Sequence, residues 1–143
     1  MGHLISICPK TLFVVEDEGG AMCGYVGAVP NNAHYMETLH KTYMPHLSEK
    51  YGHDDVMKGP GRACTDETWR APTSATLYLN FTAECAKECV RKRILNSVFS
   101  VVKACGSKMI YYELKEEEDF DFYLKLGFCP LDMTNDRLLC RAL

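Results

Sequence analysis

The 143-residue chain has no glycine between Gly61 and Gly106, although it contains ten glycines in total. Within that stretch, a β-rich segment runs directly into a long helical pattern. A strand-to-helix turn that binds phosphate through backbone N–H groups needs glycine, because a Cβ atom blocks the close approach of the ligand. The sequence therefore excludes a glycine-based phosphate loop at this junction.

The chain also lacks an excess of positive charge and any long apolar run. Its formal net charge of -3 excludes the broad basic surface that is typical of nucleic-acid-binding proteins. No apolar run approaches the roughly 20 residues of a membrane span, and the N-terminus lacks the pattern of a secretory leader. We therefore expect neither nucleic acid nor membrane as a partner. Since a chain of this length buries one core, we expect one domain over residues 1–143.

Eight cysteines occur without a CxxC pair, which favours reduced thiols over a disulfide framework. Cys85 and Cys89 lie one helical turn apart, and Cys105 ends the same pattern, so we expect them to pack in the core. Cys64 with His53 does not provide the spaced ligand pairs that zinc requires. We predict no metal site.

Hydrophobic periodicity predicts the element order ββαβαβαββ. The predicted strands cover residues 11–15, 21–29, 77–81, 108–114, 128–133 and 137–143. The predicted helices cover residues 33–51, 84–105 and 119–126. Asn31 and Asn32 are expected to cap the first helix, and Pro45 is expected to kink or restart it. Residues 52–73 collect Gly, Pro, Asp and Thr, which predicts a loop.

The segment Phe122–Phe128 reads FYLKLGF, and it resembles the aromatic-Tyr-x-x-x-Gly-Phe signature of the GNAT acetyltransferase superfamily. The segments Phe13–Glu18, Cys23–Tyr25 and Tyr43–Tyr51 are similar to the C-terminal, GNAT-like "pseudo-histone-acetyltransferase" domain of the O-GlcNAcase family. The resemblance covers most of the chain from Leu4 onward. It implies an α/β GNAT fold, with a central mixed, mostly antiparallel sheet flanked by helices. Because only ten residues precede the first hairpin, we expect the N-terminal elements of that fold to be truncated.

Active GNAT enzymes bind the pyrophosphate of acetyl-CoA at a turn that reads Arg or Gln, two residues, Gly, one residue, and Gly or Ala. Ala86, Cys89 and Arg91 stand at the three defining positions, and none of them matches. The side chains of Lys87, Glu88, Cys89 and Arg91 would fill the space that the pyrophosphate needs. The resemblance therefore implies a pseudoenzyme that has no catalytic residues and uses no acetyl-CoA.

The resemblance also implies how such a domain acts. It would mediate homodimerisation and protein interaction in the cytoplasm and nucleus, attached to a glycoside hydrolase that removes O-linked N-acetylglucosamine from proteins. A truncated sheet exposes an edge with which a second copy can pair. The candidate dimer surfaces are this edge, the helix at residues 85–105 and the helix at residues 35–51.

Two other functions remain open from the sequence. The first is an active acetyl-CoA-dependent N-acetyltransferase of proteins or histones. In the superfamily, a tyrosine at the position of Tyr123 protonates the departing thiolate, Glu113 is the candidate general base, and Arg91–Arg93 would bind the pyrophosphate. The alternative role of Tyr123 is to pack the short helix against the sheet. The second function is a reader of basic peptides that uses Glu116–Asp119.

Overall fold

The computed structural model describes residues 2–51, 72–82, 87–115, 119–132 and 135–143. Its strands are β1 (Leu12–Glu16), β2 (Met22–Val29), β3 (Ser74–Phe81), β4 (Met109–Glu113), β5 (Cys129–Asp132) and β6 (Asn135–Ala142). Its helices are α1 (Gly2–Ile7), α2 (Asn32–Thr38), α3 (Met44–Tyr51), α4 (Glu88–Ala104) and α5 (Phe120–Lys125). The strands form one sheet in the order β1-β2-β3-β4-β6-β5. Only the β3–β4 pair is parallel among these strands, so the mixed, mostly antiparallel sheet is confirmed.

The hairpin of β1 and β2 closes through an acidic turn at residues 17–20. The Asp17 carboxylate accepts hydrogen bonds from the backbone N–H groups of Gly19 and Ala21, at 2.9 and 2.8 Å. Gly20 has a φ of 81°, which a residue with a Cβ adopts at a cost. The turn residues therefore fix the register of the first two strands.

The single helix predicted over residues 33–51 is interrupted one turn before Pro45. The Asn31 side chain caps α2 by accepting from the His34 N–H at 3.0 Å, as expected. Residues 39–43 then form a π-helical turn, in which the Met44 N–H donates to the Leu39 carbonyl. Pro45 has no N–H to donate to the preceding turn, and its ring crowds that turn. The wider π-helical turn relieves this crowding, and a new α-helix begins at Met44, which agrees with the predicted restart at Pro45.

The long helix α4 begins at Glu88, four residues later than predicted. Lys87 has an extended conformation, with φ −54° and ψ 129°, and is the N-cap residue. Residues 83–86, including the predicted helix start, lie outside the described part of the chain. At the other end, Gly106 follows the helix with a φ of 92°, a conformation that terminates a helix and favours glycine.

The expected core packing of the cysteines is wrong for Cys89 and Cys105, which are both exposed. They lie at the two ends of α4, whereas the buried stripe occupies its middle at Leu95, Val98, Phe99 and Val102. The expectation that all cysteines are reduced thiols is also wrong, because Cys23 is disulfide-bonded. Cys64 and Cys85 lie outside the described residues.

Helices cover both faces of the sheet. Helices α4 and α5 pack on one face and enclose the main core, which includes Val26, Leu77, Ile110 and Leu139. On the other face, α1 and α2 enclose a second cluster around Leu4, Val29, Tyr35 and Leu39. Helix α1 was not predicted, since its six residues carry no capping signal. The short helix nevertheless buries Leu4 almost completely.

A polar contact ties α2 to the start of β3. In the Asn32 side chain, Nδ2 donates to the Ser74 hydroxyl at 3.3 Å, and Oδ1 accepts from the Thr76 hydroxyl at 2.9 Å. All three residues are buried, so these bonds satisfy groups that are removed from water. They fix the start of β3, which is the segment that pairs with β4.

Candidate functional site

A cleft opens at the centre of the sheet, where β3 and β4 separate. The two strands pair only at Ser74–Thr76 with Met109–Tyr111, although β3 continues to Phe81. Beyond the paired segment, their ends line a cavity of about 480 Å³. The carboxyl ends of parallel strands are the usual place for a ligand site in an α/β sheet. This cavity is therefore the first candidate site.

The polar lining of the cleft carries charge of both signs. Glu113, Lys115 and Arg137 all line the cavity. Glu113 is the last residue of β4 and is exposed, and its role as a general base stays a prediction. Lys115 reaches across the gap and donates from Nζ to the Leu79 carbonyl oxygen at 2.9 Å. That hydrogen bond occupies a backbone acceptor on the open edge of β3.

Tyr123 lies behind the cleft in a cluster of aromatic rings. Its side chain is 0 % exposed, and its ring centroid lies 4.9 Å from that of Tyr112, 5.2 Å from Phe122 and 5.9 Å from Phe128. Tyr112 lines the cavity, whereas Tyr123 is not among the lining residues. The geometry supports the packing role of Tyr123 over direct contact with a ligand.

The described residues of the predicted degenerate phosphate loop lie in different surroundings. Lys87, Glu88 and Cys89 are exposed around the start of α4. The Arg91 guanidinium instead lies 4.2 Å from the centre of the Phe122 ring. Its Nε atom is buried without a hydrogen-bond partner among the residues described. Ala86 lies outside the described residues.

Another cavity of about 480 Å³ lies between β1 and α4. Its walls are Phe13–Glu16 from the edge strand and one side of α4, including Val90, Arg93 and Ile94. Arg93 thus faces the edge strand, whereas Arg91 faces α5. Residues two apart on a helix point in different directions, so the two side chains lie toward different surfaces, and the Arg91–Arg93 phosphate site stays a prediction.

The cleft contains residues that sequence reasoning missed. Lys115 and Arg137 were not predicted, and neither was Tyr78, which lines the same cavity. The available signal was the pairing of two parallel strands, whose ends lie at one edge of a sheet. The sequence did not reveal where β3 and β4 stop pairing, so the residues that line the cleft could not be predicted from it.

The remaining sequence predictions concern metal ligands, membrane-spanning helices and the acidic run. The described residues contain no group of three or more His, Cys, Asp or Glu side chains that could hold a metal ion, while His53 and Cys64 lie outside them. Within the same part of the chain, no helix has the length and apolarity needed to cross a membrane. Of the acidic run, residues 116–118 are not described, and Asp119 caps α5 by accepting from the Asp121 N–H at 3.0 Å. This capping role is the one expected of a carboxylate at a helix start.

Comparison with solved structures identifies the fold. SsHAT matches with a TM-score of 0.76 and 16 % identity, over 99 % of this chain and 76 % of that one. An agmatine N-acetyltransferase matches with a TM-score of 0.60 and 16 % identity, over 99 % and 78 % of the two chains. A GCN5-related N-acetyltransferase from Kribbella flavida matches with a TM-score of 0.53 and 14 % identity, over 92 % and 67 %. No family model and no curated protein matches the sequence. The chain therefore has the GNAT acetyltransferase fold, as predicted.

Proposed function

We propose that this chain is a non-catalytic, acetyltransferase-like domain of an O-GlcNAcase, which acts in homodimerisation and protein docking in the cytoplasm and nucleus. The observation that carries the non-catalytic part is the complete burial of Tyr123. A general acid must lie within hydrogen-bond reach of the atom that it protonates. A phenol enclosed by three aromatic rings is poorly placed to reach a thiolate in the cleft.

The start of α4 supports the same proposal. A helix N-terminus attracts phosphate through its free N–H groups and its positive dipole end. Here Glu88 places a negative charge in the first turn, which competes with an anionic ligand. The Arg91 guanidinium lies over the ring of Phe122, so its positive charge packs against a core residue.

The cleft itself is partly closed by Lys115. Coenzyme A carries an extended arm with two amide groups, which would need backbone partners on the open edges of β3 and β4. The hydrogen bond from Lys115 to the Leu79 carbonyl uses one such partner. A ligand arm would have to break this bond before it could enter.

The sheet edge at β1 supports the dimer. Strand β1 is the terminal strand of the sheet, and Val14 on it is 48 % exposed. The apolar cavity between β1 and α4 lies beside it. An edge strand with apolar side chains is a template for pairing with another chain, so we assign the dimer contact to β1 among the three candidate surfaces. A stable dimer would bury at least about 1,000 Å² in total.

The test is calorimetric titration of acetyl-CoA and of CoA into the purified chain, with light scattering on the same sample. We expect no heat at millimolar ligand and a particle of twice the chain mass. Micromolar binding of acetyl-CoA would overturn the non-catalytic part, and a particle of single chain mass would overturn the dimer.

The dimer surface is tested by Val14→Lys. A lysine on an edge strand opposes pairing with a second edge, so the variant should elute as a monomer. Leu124→Lys is the matched control, because Leu124 is also exposed but lies on α5. A monomeric control variant, or a dimeric Val14→Lys variant, would contradict the assignment to β1.

An active N-acetyltransferase is the second candidate, and the position of Glu113 in the cleft favours it. In that case, Glu113 would accept a proton from the substrate amine. Incubation with acetyl-CoA and histone or other protein substrates should then give acetylated product. Glu113→Gln should lose that activity by about 10²-fold or more, and a failure to detect any product would remove this candidate.

A further inference from the structure

Two cysteines face each other across the hairpin at the edge of the sheet opposite β1. Cys129 on β5 is the direct register partner of Cys140 on β6. The two sulfur atoms lie 3.7 Å apart. The Cys129 thiol also lies 3.5 Å from the Cys140 carbonyl oxygen, to which it donates. Both thiols are free in this structure.

The backbone places this pair within reach of a disulfide. Directly opposed residues of antiparallel strands have Cα atoms about 4.5 to 5.5 Å apart, and natural disulfides span Cα distances of about 4.4 to 6.8 Å. The sulfur atoms need to approach from 3.7 Å to about 2.05 Å. Because directly opposed residues have a Cα spacing that a disulfide can span, closure calls for rotation about the side-chain bonds rather than movement of the strands.

The two thiols have different environments. Cys129 is exposed on the terminal strand of the sheet. Cys140 is buried beside Tyr111, with Leu131 and Leu138 packed around them. Burial, and the hydrogen bond with Cys129, raise the pKa of Cys140 to about 11. The exposed thiol is therefore the one that a reagent in solution meets first.

We propose that Cys129 and Cys140 are a redox modification site, which closes to a cross-strand disulfide by exchange with a small-molecule disulfide such as glutathione disulfide. The Cys129 thiolate attacks one sulfur of glutathione disulfide, forms a mixed disulfide and releases one glutathione thiolate. The Cys140 thiolate then attacks the Cys129 sulfur and releases the second glutathione. Two protein thiols are oxidised and one glutathione disulfide is reduced to two glutathione molecules, which take up the two protons.

The closed disulfide would join the terminal strand covalently to its neighbour. Among the described strands, β5 is hydrogen-bonded to β6 alone, so it can fray from the edge of the sheet in the reduced state. Cross-linking residues 129 and 140 closes a short loop and removes conformations from the unfolded chain. Oxidation should therefore raise the temperature of unfolding. The site lies on the strand pair next to β4, and the inference does not depend on whether the cleft binds a cofactor.

The experiment is differential alkylation of the full chain after incubation with glutathione disulfide, followed by proteolysis and mass spectrometry. We expect a peptide pair that joins Cys129 to Cys140 and is lost on treatment with reductant. Peptide identity separates this bond from the disulfide of Cys23. A wild-type chain that keeps glutathione on Cys129, or that links Cys129 to another cysteine, would overturn the proposal.

Three variants test the role of each thiol in the two steps. Cys140→Ala should leave glutathione on Cys129, because the resolving thiol is missing. Cys129→Ser, at an exposed position that does not threaten folding, should leave Cys140 without glutathione over the same period. Cys89→Ser is the matched control, because Cys89 is also a free and exposed thiol, and it should form the Cys129–Cys140 bond like the wild type. Loss of that bond in Cys89→Ser would contradict direct closure of the pair.

Discussion

Replacing Tyr123 by alanine should strongly destabilise the domain, and this variant tests whether the residue belongs to the core. The ring is fully buried and contacts three other aromatic rings. Truncation of a buried aromatic side chain to alanine costs about 3 to 5 kcal/mol, because the apolar contacts are lost and a cavity remains. Each aromatic pair contributes about 0.5 to 1.5 kcal/mol beyond its buried area. We therefore expect Tyr123→Ala to lower the free energy of unfolding by an amount in the upper part of the range of about 3 to 5 kcal/mol.

The measurement is urea-induced unfolding followed by circular dichroism, which gives the free energy of unfolding by linear extrapolation. Leu124→Ala is the matched control on the same helix, because Leu124 is 40 % exposed. It should lose less than about 1 kcal/mol. Since small domains are stable by only about 5 to 15 kcal/mol, Tyr123→Ala should unfold at a far lower urea concentration than Leu124→Ala. Similar losses for the two variants would refute the core assignment and return Tyr123 to the candidate catalytic residues.

Three further predictions concern the ends of helices and the edge hairpin. Gly106→Ala should lower the free energy of unfolding by about 1 to 2 kcal/mol, because its φ of 92° is costly for a residue with a Cβ; Gly106→Asn should recover part of this loss in urea unfolding. Asn31→Ala should cost about 1 kcal/mol through loss of the cap on α2, whereas Asn31→Asp should cost little. Under reducing conditions, the wild type should lose stability as the pH rises from about 9 to about 11. The folded state keeps the Cys140 proton to about 11, whereas the unfolded thiol loses it near 9.0, and Cys140→Ala should lack this part of the loss.

A Gly106→Asn variant no more stable than Gly106→Ala would mean that the backbone conformation is not the cause. Equal losses for Asn31→Ala and Asn31→Asp would mean that the side-chain cap is not the source of the stability. An alkaline loss of stability that is unchanged in Cys140→Ala would assign it to other groups, such as Tyr35, whose pKa is also raised by burial.

Local signals in the sequence predicted most of the strands and helices. Turn residues such as Gly20, Gly106 and Gly127 mark the places where the backbone has positive φ, and this preference is read directly from residue type. The Asn31 and Asp119 caps depend on hydrogen bonds within a few residues. Such features are local, so one sequence is enough to predict them.

The candidate site was harder to predict because it depends on contacts between distant segments. Lys115 and Leu79 are far apart in the sequence, and only the separation of β3 from β4 places them across one gap. The cross-strand pair of Cys129 and Cys140 likewise depends on register, which a shift of one residue would change. Helix α1 is stabilised by the burial of Leu4 rather than by its own six residues, since helices of that length are marginal alone.

Arg91, which was expected to crowd a pyrophosphate, makes a contact that stabilises the fold. Its guanidinium stacks on Phe122, a contact worth about 0.5 to 1 kcal/mol. A glycine at this helical position would remove the contact and cost about 1 kcal/mol more in helix stability. Arg91 thus stabilises the contact between α4 and α5. Replacing Arg91 by glycine should therefore weaken the fold while leaving Tyr123 in the core, because the rings of Tyr112 and Phe128 would still pack against it.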